Sequence, residues 1–222
     1  MYIIIRLLIL LLLTLPVWAE EEISFEEMQA RWAEEEAKIE KVLREAKQTY
    51  SLEGLMDEGK EHPAPLALRN HLEQDPALQE DMKAVQEYIQ ERQEYGGIEE
   101  NFESIFAATS IPLSSSGRPV YIVYPSMYCP VFVGAHAIWY WIMEQQPDGT
   151  YRNLLSGATD AVLVMDTQTL GYHDLATVYG MQNLCLYRFD GTTYQYISDT
   201  DTTENVKPES PEPSPDATSI PP

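Results

Sequence analysis

The chain is poor in basic residues: its 222 residues include 14 Lys and Arg but 36 Asp and Glu, for a formal net charge of −22. A nucleic-acid-binding protein needs a basic surface that neutralises phosphate groups. An anionic lipid surface attracts the same basic residues. We therefore expect neither nucleic acid nor an anionic membrane surface as a partner.

Cysteine and histidine are also scarce, with 2 Cys and 4 His in the chain. So few cysteines exclude a disulfide-rich miniprotein and a zinc site made of cysteine alone. His136, His173 and Asp174 are the remaining candidates for metal ligands, but they lack the close spacing of ligand motifs. A turn is the simpler interpretation of His173-Asp174, which lies just after Gly171. We expect no metal and no cofactor.

Catalytic motifs are lacking as well. Ser156, His136 or His173, and Asp160 or Asp166 supply the residue types of a serine hydrolase, but the Gly-x-Ser-x-Gly turn that exposes the nucleophile is missing. A β-rich domain of this size contains such residue types by chance. The sequence therefore predicts no catalytic residue, and we favour a protein that is not an enzyme.

The one long hydrophobic run lies at the N-terminus. An arginine precedes the apolar run Leu7–Leu15, and Ala19 is a small residue where signal peptidase requires one. We predict a signal peptide over 1–19, cleavage between Ala19 and Glu20, a periplasmic or secreted location, and no membrane span in the mature chain. The alternative is an uncleaved anchor, because residues 2–18 approach the length of a transmembrane helix.

Charge and aromatic residues are distributed unevenly. Residues 20–100 hold 23 acidic and 9 basic residues, whereas residues 101–198 hold 7 and 3. Ten of the 14 tyrosines lie between Tyr121 and Tyr196. Residues 199–222 combine six prolines with acidic residues and cannot bury enough apolar surface to fold. The acidic region and the core thus belong to different parts of the chain.

The acidic region has the signals of two helices. Ser24 and Glu27 form a capping box at the start of the first helix. Its apolar residues follow a near-heptad stripe, namely Phe25, Met28, Trp32, Ile39, Val42 and Ala46. Asp75 is a good N-cap for the second, Pro76 suits its first position, and Gly96-Gly97 can end it.

The region after Gly117 has the pattern of short strands. Gln146–Gly149 and Asp190-Gly191 are typical hairpin turns. The β-prone runs are Val120–Tyr124, Val131–Gly134, Ile138–Met143, Arg152–Leu155, Ala161–Met165, Leu175–Tyr179, Leu184–Phe189 and Thr193–Ile197. We expect six to eight antiparallel strands in one sheet or a small barrel.

These patterns predict an α+β protein. Its parts are a signal peptide (1–19), an acidic helical region (20–110), an antiparallel β domain (111–198) and a disordered, acidic, proline-rich tail (199–222). Cys129 and Cys185 both fall in the strand region of an exported chain, which predicts one disulfide.

Trp139, Tyr140 and Trp141 form the candidate recognition patch. In a strand, the two tryptophans share one face and Tyr140 takes the other. Core packing is the favoured interpretation for both tryptophans, which leaves Tyr140 as the residue able to anchor a recognition surface.

One set of strand and turn residues carries a resemblance: Val162-Leu163, Thr167, Thr169, Gly171, Asp174, Leu175, Tyr187–Gly191 and Tyr194. On these residues, the stretch from about Val120 to Ser198 resembles a recurrent region of small, exported, uncharacterised bacterial proteins. The resemblance implies a periplasmic or secreted β module and carries over no catalytic residue.

Two functions follow as hypotheses. The first is an exported, non-catalytic protein that binds a basic protein partner, like an inhibitor or immunity protein, because the acidic helical region would steer a cationic partner. The alternative is a cell-envelope hydrolase whose site lies in the β domain and depends on His136 or His173.

Overall fold

A computed structural model describes residues 24–58, 62–98, 102, 104–115, 117–135, 137–180 and 183–197. The predicted signal peptide with its cleavage site at Ala19 and Glu20, the tail from residue 199 onward, and His136 lie outside these residues. The helices are α1 Phe25–Glu45, α2 Leu52–Glu58, α3 Leu66–Glu73 and α4 Gln79–Glu94. The strands are β1 Ala46–Ser51, β2 Phe106–Ile111, β3 Val120–Pro125, β4 Ile138–Gln145, β5 Tyr151–Thr159, β6 Ala161–Thr169, β7 Tyr172–Tyr179, β8 Asn183–Phe189 and β9 Tyr194–Ile197. The α+β class is confirmed.

The strands form two antiparallel sheets. Sheet A has the order β1-β6-β7-β8-β9, and sheet B has the order β2-β3-β4-β5. The inner faces pack together around one apolar core, to which Ile122 and Ile142 contribute from sheet B and Val162 and Leu175 from sheet A. The strands therefore build a two-layer sandwich.

The chain passes from sheet B to sheet A through a connection of one residue. Only Asp160 separates β5 in sheet B from β6 in sheet A. Its carbonyl accepts a hydrogen bond from the Leu52 amide at 2.9 Å, and its carboxylate accepts one from the Gly180 amide at 2.6 Å. These bonds fix the corner at which the chain leaves one sheet and enters the other.

Two strands come from the region predicted to be helical. β1 pairs with β6, so that Tyr50 lies opposite Val162, and β2 pairs with β3, so that Phe106 lies opposite Pro125. The first predicted helix therefore ends one residue before Ala46. Both strands lie at sheet edges and pair with a single neighbour. They lack the regular alternation of apolar and polar residues from which a half-buried strand is recognised, because their strand conformation depends on that pairing.

Helix α1 covers the outer face of sheet A with its second half. The predicted capping box is confirmed: the Glu27 amide donates to Ser24 Oγ at 3.2 Å, and the Ser24 amide donates to the Glu27 carboxylate at 2.9 Å. Ile39 is buried against Leu163, Ala176 and Val178. Burial of one such side chain contributes about 1.5–3 kcal/mol.

Helices α3 and α4 cover most of the outer face of sheet B. Leu68 and Leu72 from α3 and Met82 and Val85 from α4 pack in one core with Trp141. The predicted cap is present, since the Ala77 amide donates to Asp75 Oδ1 at 2.9 Å. A 3₁₀ turn over Pro76–Leu78 follows this cap and leads into α4. The sandwich is thus flanked by helices on both sides.

The two predicted hairpin turns are confirmed. Gly149 between β4 and β5 has φ +84°, and Gly191 between β8 and β9 has φ +106°. Both values lie in the region that favours glycine over other residues. Each turn fixes the register of the strands that it joins.

Candidate functional site

A groove of about 300 Å³ opens on the outer face of sheet B, beside the edge strand β5 and its neighbour β4. Its walls are Asp75 with the 3₁₀ turn that it caps, the first turn of α4, the loop before β4, and the two strands. The lining residues are Asp75, Ala77, Leu78, Asp81, Val131, Phe132, Trp139, Trp141, Asn153 and Ser156. The groove exists because helices α3 and α4 leave part of the outer face of β5 uncovered, where Asn153, Ser156 and Ala158 are exposed.

Aromatic side chains form the floor of this groove. Trp141 is buried and meets Phe106 and Phe132 edge to face, at centroid distances of 5.5 and 5.4 Å. Trp139 stacks on Trp141 at 6.4 Å and remains 43% exposed. The Trp139 amide donates to the Phe132 carbonyl at 2.9 Å. A rigid aromatic base therefore holds one accessible indole ring.

Polar groups line the rim. Two of the lining residues are charged: Asp75, which precedes the 3₁₀ turn, and Asp81, in the first turn of α4. The uncharged polar residues are Asn153 and Ser156 on β5. The bond from the Ala77 amide holds the Asp75 carboxylate in place. An aromatic face beside two carboxylates suits an organic cation, which an indole ring attracts by about 0.5–2 kcal/mol.

The structure separates the three residues of the predicted recognition patch. Trp139 and Trp141 share the outer face of sheet B, as strand alternation predicts. Tyr140 lies between the sheets with 2% of its surface exposed, and this burial raises the pKa of its hydroxyl. Of the three, Trp139 offers the most accessible surface, whereas Tyr140 does not reach the groove.

A second polar feature lies between the sheets. The side chain of Glu144 on β4 is fully buried and accepts hydrogen bonds from the Tyr172 hydroxyl, Gln146 Nε2 and Arg152 Nη2. The Gln146 and Arg152 bonds both measure 2.8 Å, and Arg118 Nη1 adds a contact at 3.4 Å. We call Glu144, Tyr172, Gln146, Arg152 and Arg118 the carboxylate clasp.

The clasp keeps Glu144 charged. Burial raises the pKa of this carboxyl group, but the hydrogen bonds from Tyr172, Gln146 and Arg152 outweigh burial, and the net pKa lies below its ordinary value. Burial and the bond to Glu144 together raise the pKa of Tyr172. Both oxygens of the carboxylate are occupied by donors from this chain. The arrangement is that of a structural anchor between the sheets.

Sequence patterns did not predict the clasp, nor the contribution of Asp75 and Asp81 to the groove. Asp75 was identified only as a helix cap and Asp81 not at all, because the groove forms where α4 meets a strand far along the chain. A signal for the clasp was present: Glu144 is an acidic residue next to the end of the apolar strand β4, and Arg152 follows the hairpin on the neighbouring strand. Their pairing follows from the register of β4 and β5, in which Glu144 lies opposite Arg152.

His173 lies in strand β7 and is 7% exposed. Its Nδ1 lies 2.6 Å from the Met165 carbonyl and therefore carries the ring proton. Its Nε2 lies 3.1 Å from Lys47 Nζ and 3.0 Å from Gln168 Nε2, which can both donate to it. Both ring nitrogens are thus engaged within the protein.

The residues after Gly171 do not form the turn that the sequence suggests. The turn is Leu170-Gly171, with φ of 51° and 81°, and Asp174 belongs to β7. The Asp174 carboxylate accepts a hydrogen bond from Thr169 Oγ1 at 2.7 Å. Ser156, the candidate nucleophile, lies in the groove on sheet B, whereas His173 lies on sheet A. The structure does not unite them.

The expected disulfide is not formed, and Cys129 and Cys185 are both free. Cys129 is buried in the core under α3 and α4. Cys185 on β8 is half-buried and lies opposite Thr177. Thr177 is on the same face of sheet A as Leu175, which packs in the core between the sheets, so Cys185 also faces sheet B. The two thiols therefore belong to different cores, with strands of sheet B between these cores.

Neither a metal site nor a membrane span is found in the described part of the chain. Within these residues, no three or more His, Cys, Asp or Glu side chains cluster closely enough to hold a metal ion. Among the helices of the same residues, none has the length and apolar character needed to cross a bilayer.

Comparisons with known proteins add no functional assignment. No family model, no curated protein and no solved structure matches this chain. The groove and the clasp are therefore the observations on which a functional argument can be built.

Proposed function

We propose that this chain is an exported, non-catalytic protein, periplasmic or secreted, that binds a basic protein partner. An arginine or lysine side chain of the partner enters the groove and lies against Trp139. The observation that carries this proposal is that one groove combines an accessible indole ring with the carboxylates of Asp75 and Asp81. A cation gains attraction from both the ring and the carboxylates.

The charge of the chain supports the same class of partner. The two charged residues that line the groove are both acidic, and the whole chain has a formal charge of −22. A field of this sign speeds the approach of a cationic protein and weakens as salt is added. Binding should therefore depend strongly on ionic strength.

The alternative of a cell-envelope hydrolase has no structural observation in its favour. His173 is engaged at both ring nitrogens, and Ser156 lies on the other sheet. The hydrolase stays a prediction that depends on His136, which lies outside the described residues.

The groove can be tested with a hexa-arginine peptide and its hexa-citrulline counterpart, which keeps the shape of the side chain without the charge. Calorimetry should show binding of the arginine peptide alone, weakened about tenfold or more in Trp139→Ala and less in Asp81→Asn. The matched controls are Tyr196→Ala, another exposed aromatic residue, and Asp57→Asn, another exposed acid. Both should bind like the parent protein.

Three results would count against the proposal. Equal binding of the citrulline peptide would remove the role of charge, and unchanged binding by Trp139→Ala would place the contact elsewhere. Binding of neutral oligosaccharides that requires Trp139 would instead make the groove a carbohydrate site.

The natural partner can be sought by affinity capture from the periplasmic or secreted fraction at low and at high salt. We expect a basic protein that is retained at low salt, released at high salt and not retained by Trp139→Ala. Export itself is tested by sequencing the N-terminus of the mature protein, which should begin at Glu20.

A further inference from the structure

Strand β5 forms a free edge of sheet B. It is nine residues long, and among the strands of the described residues it pairs with β4 alone. After a register shift at Leu154, residues 155–159 pair regularly with residues 138–142. Within the part of the chain that the structure describes, residues 151–158 make no backbone–backbone hydrogen bond to any segment except β4. The N–H and C=O groups that point away from β4 are therefore available to another strand.

The other sheet edges are less suited to pairing. Beside β2, the segment 62–64 already occupies the edge, since the Ala64 amide donates to the Phe106 carbonyl at 3.1 Å. Strand β1 has six residues and carries Lys47, and β9 has four residues. Lysine and short length both disfavour an added strand. In β5, residues 155–158 carry neither charge nor proline, so nothing in their composition opposes pairing.

The outer face of β5 leads from this edge to the groove. Ala158 lies opposite Trp139, and Ser156 lies opposite Trp141, so each short residue shares the outer face with a tryptophan. Both short residues are exposed. A strand beside β5 would stand two strand spacings, about 10 Å, from β4. The methylene stem of an arginine or lysine from that strand can lie across Ala158, with the charged end at the Trp139 ring.

We propose that the basic partner adds an extended strand to the free edge of β5 and lays an arginine or lysine side chain across Ala158 onto Trp139. The inference rests on the proposed function and specifies the form in which the partner binds. Main-chain hydrogen bonds to β5 supply affinity, and the cation in the groove supplies selectivity. Because side chains alternate along a strand, basic residues two positions apart in the partner lie on the side of the groove.

The groove selects this occupant over a second copy of the chain. A two-fold pair of copies would join β5 to β5, and the outer face of the second β5 carries the short, uncharged Ser156 and Ala158. Neither residue is a cation for the Trp139 ring or for the carboxylates of Asp75 and Asp81. A helix of the partner would satisfy its own main-chain groups and leave those of β5 unpaired. An extended cationic segment meets both the edge and the groove.

The test uses the purified full chain and a seven-residue peptide in which Arg alternates with Thr. Its fully N-methylated form keeps every side chain and charge but cannot donate main-chain hydrogen bonds. Calorimetry should show that the parent peptide binds and that the N-methylated form binds at least about tenfold more weakly. Binding of the parent peptide should also weaken in Trp139→Ala and on replacement of its arginines by citrulline.

Amide hydrogen exchange locates the contact on the strand. With the Arg peptide bound, the amides of residues 155–158 that point away from β4 should exchange at least about tenfold more slowly. Strand β9, Tyr194–Ile197, is the internal control, because it lies at another sheet edge and should keep its exchange rates. The measurement uses the parent protein, so it does not depend on the folding of a variant.

The contrary results are distinct. Equal binding of the N-methylated peptide, lost in Trp139→Ala and without slower exchange in β5, would overturn the added strand and leave the proposed function standing. Failure of the alternating peptide to bind while hexa-arginine binds would do the same, whereas failure of both would overturn the proposed function as well. Equally slow exchange with the citrulline peptide would show an edge that accepts any strand, and would overturn the basic strand. Slower exchange at higher protein concentration without peptide would identify a second copy as the occupant and also overturn it.

Discussion

The hydroxyl group of Tyr172 on β7 donates a hydrogen bond to the buried carboxylate of Glu144 on β4, and this bond joins sheet A to sheet B. The same carboxylate accepts a bond from Arg152 at 2.8 Å. Tyr172 also stacks on Phe189 at a centroid distance of 4.0 Å. A single carboxylate therefore connects both sheets and the aromatic core between them.

Substitution of Glu144 by Gln should destabilise the protein by about 3 kcal/mol. The amide keeps the size of the side chain but leaves Arg152 without its buried counter-charge, a change that costs several kcal/mol when the site cannot be solvated. Urea unfolding should show a lower midpoint with an unchanged slope. Glu87→Gln is the control, since Glu87 forms an exposed pair with Lys83 at 4.0 Å and should change stability by less than about 0.5 kcal/mol. Equal effects of the two substitutions would contradict the clasp.

The contribution of Glu144 to stability should disappear in acid. Its pKa in the folded protein is lowered, so its stabilisation is fully present above the unfolded pKa of about 4.3 and is lost as the pH falls through the folded pKa. The difference in unfolding free energy between the parent and Glu144→Gln should stay constant from about pH 7 to 5 and shrink below about pH 4. The lowered pKa values of Asp148 and Asp190 affect both proteins alike and cancel in this difference. A difference that grows in acid would reverse the assigned sign.

The two stacked tryptophans should respond differently to truncation. Trp141→Ala empties the centre of an aromatic cluster and should cost about 3–5 kcal/mol in thermal or urea unfolding. Trp139 is 43% exposed, and its truncation should cost about 1 kcal/mol or less. If Trp139→Ala proved as destabilising as Trp141→Ala, its effect on peptide binding could not be assigned to direct contact.

Both cysteines should be alkylated in denatured protein that has never met a reducing agent. In the folded protein, Cys185 should react first, because Cys129 is fully buried and burial raises the pKa of its thiol. Peptide mass spectrometry after brief exposure to iodoacetamide gives the order of reaction. Recovery of a Cys129–Cys185 peptide linked by a disulfide would restore the pairing that the sequence suggests.

Local chemistry explains which elements could be predicted from the sequence. The capping box at Ser24, the cap at Asp75 and the glycine of each hairpin act through neighbours in the chain, and the structure contains all of them. Such features need only a few consecutive residues to be recognised. From these features the starts of two helices and the positions of two hairpins could be predicted correctly. Caps and turns are the part of this fold that the local sequence encodes.

Features that depend on distant partners were not predictable in this way. Strand β1 has one buried residue, Tyr50, and becomes a strand because β6 pairs with it. The clasp likewise unites Glu144 with Tyr172, which lies 28 residues later. The groove arises between Asp75 and Trp139 only after α4 packs on sheet B. In each case the decisive partner is set by the tertiary fold.

The pairing of β1 with β6 has a consequence for folding during synthesis. Lys47 at the beginning of the chain contacts His173, 126 residues later. Among the described elements, helix α1 and β1 leave the ribosome first, yet the edge of β6 that pairs with β1 emerges only after more than a hundred further residues. During synthesis Ile39 therefore stays uncovered until the residues of sheet A against which it packs have been made. Strand β1 is therefore made early but can join its sheet only late in synthesis.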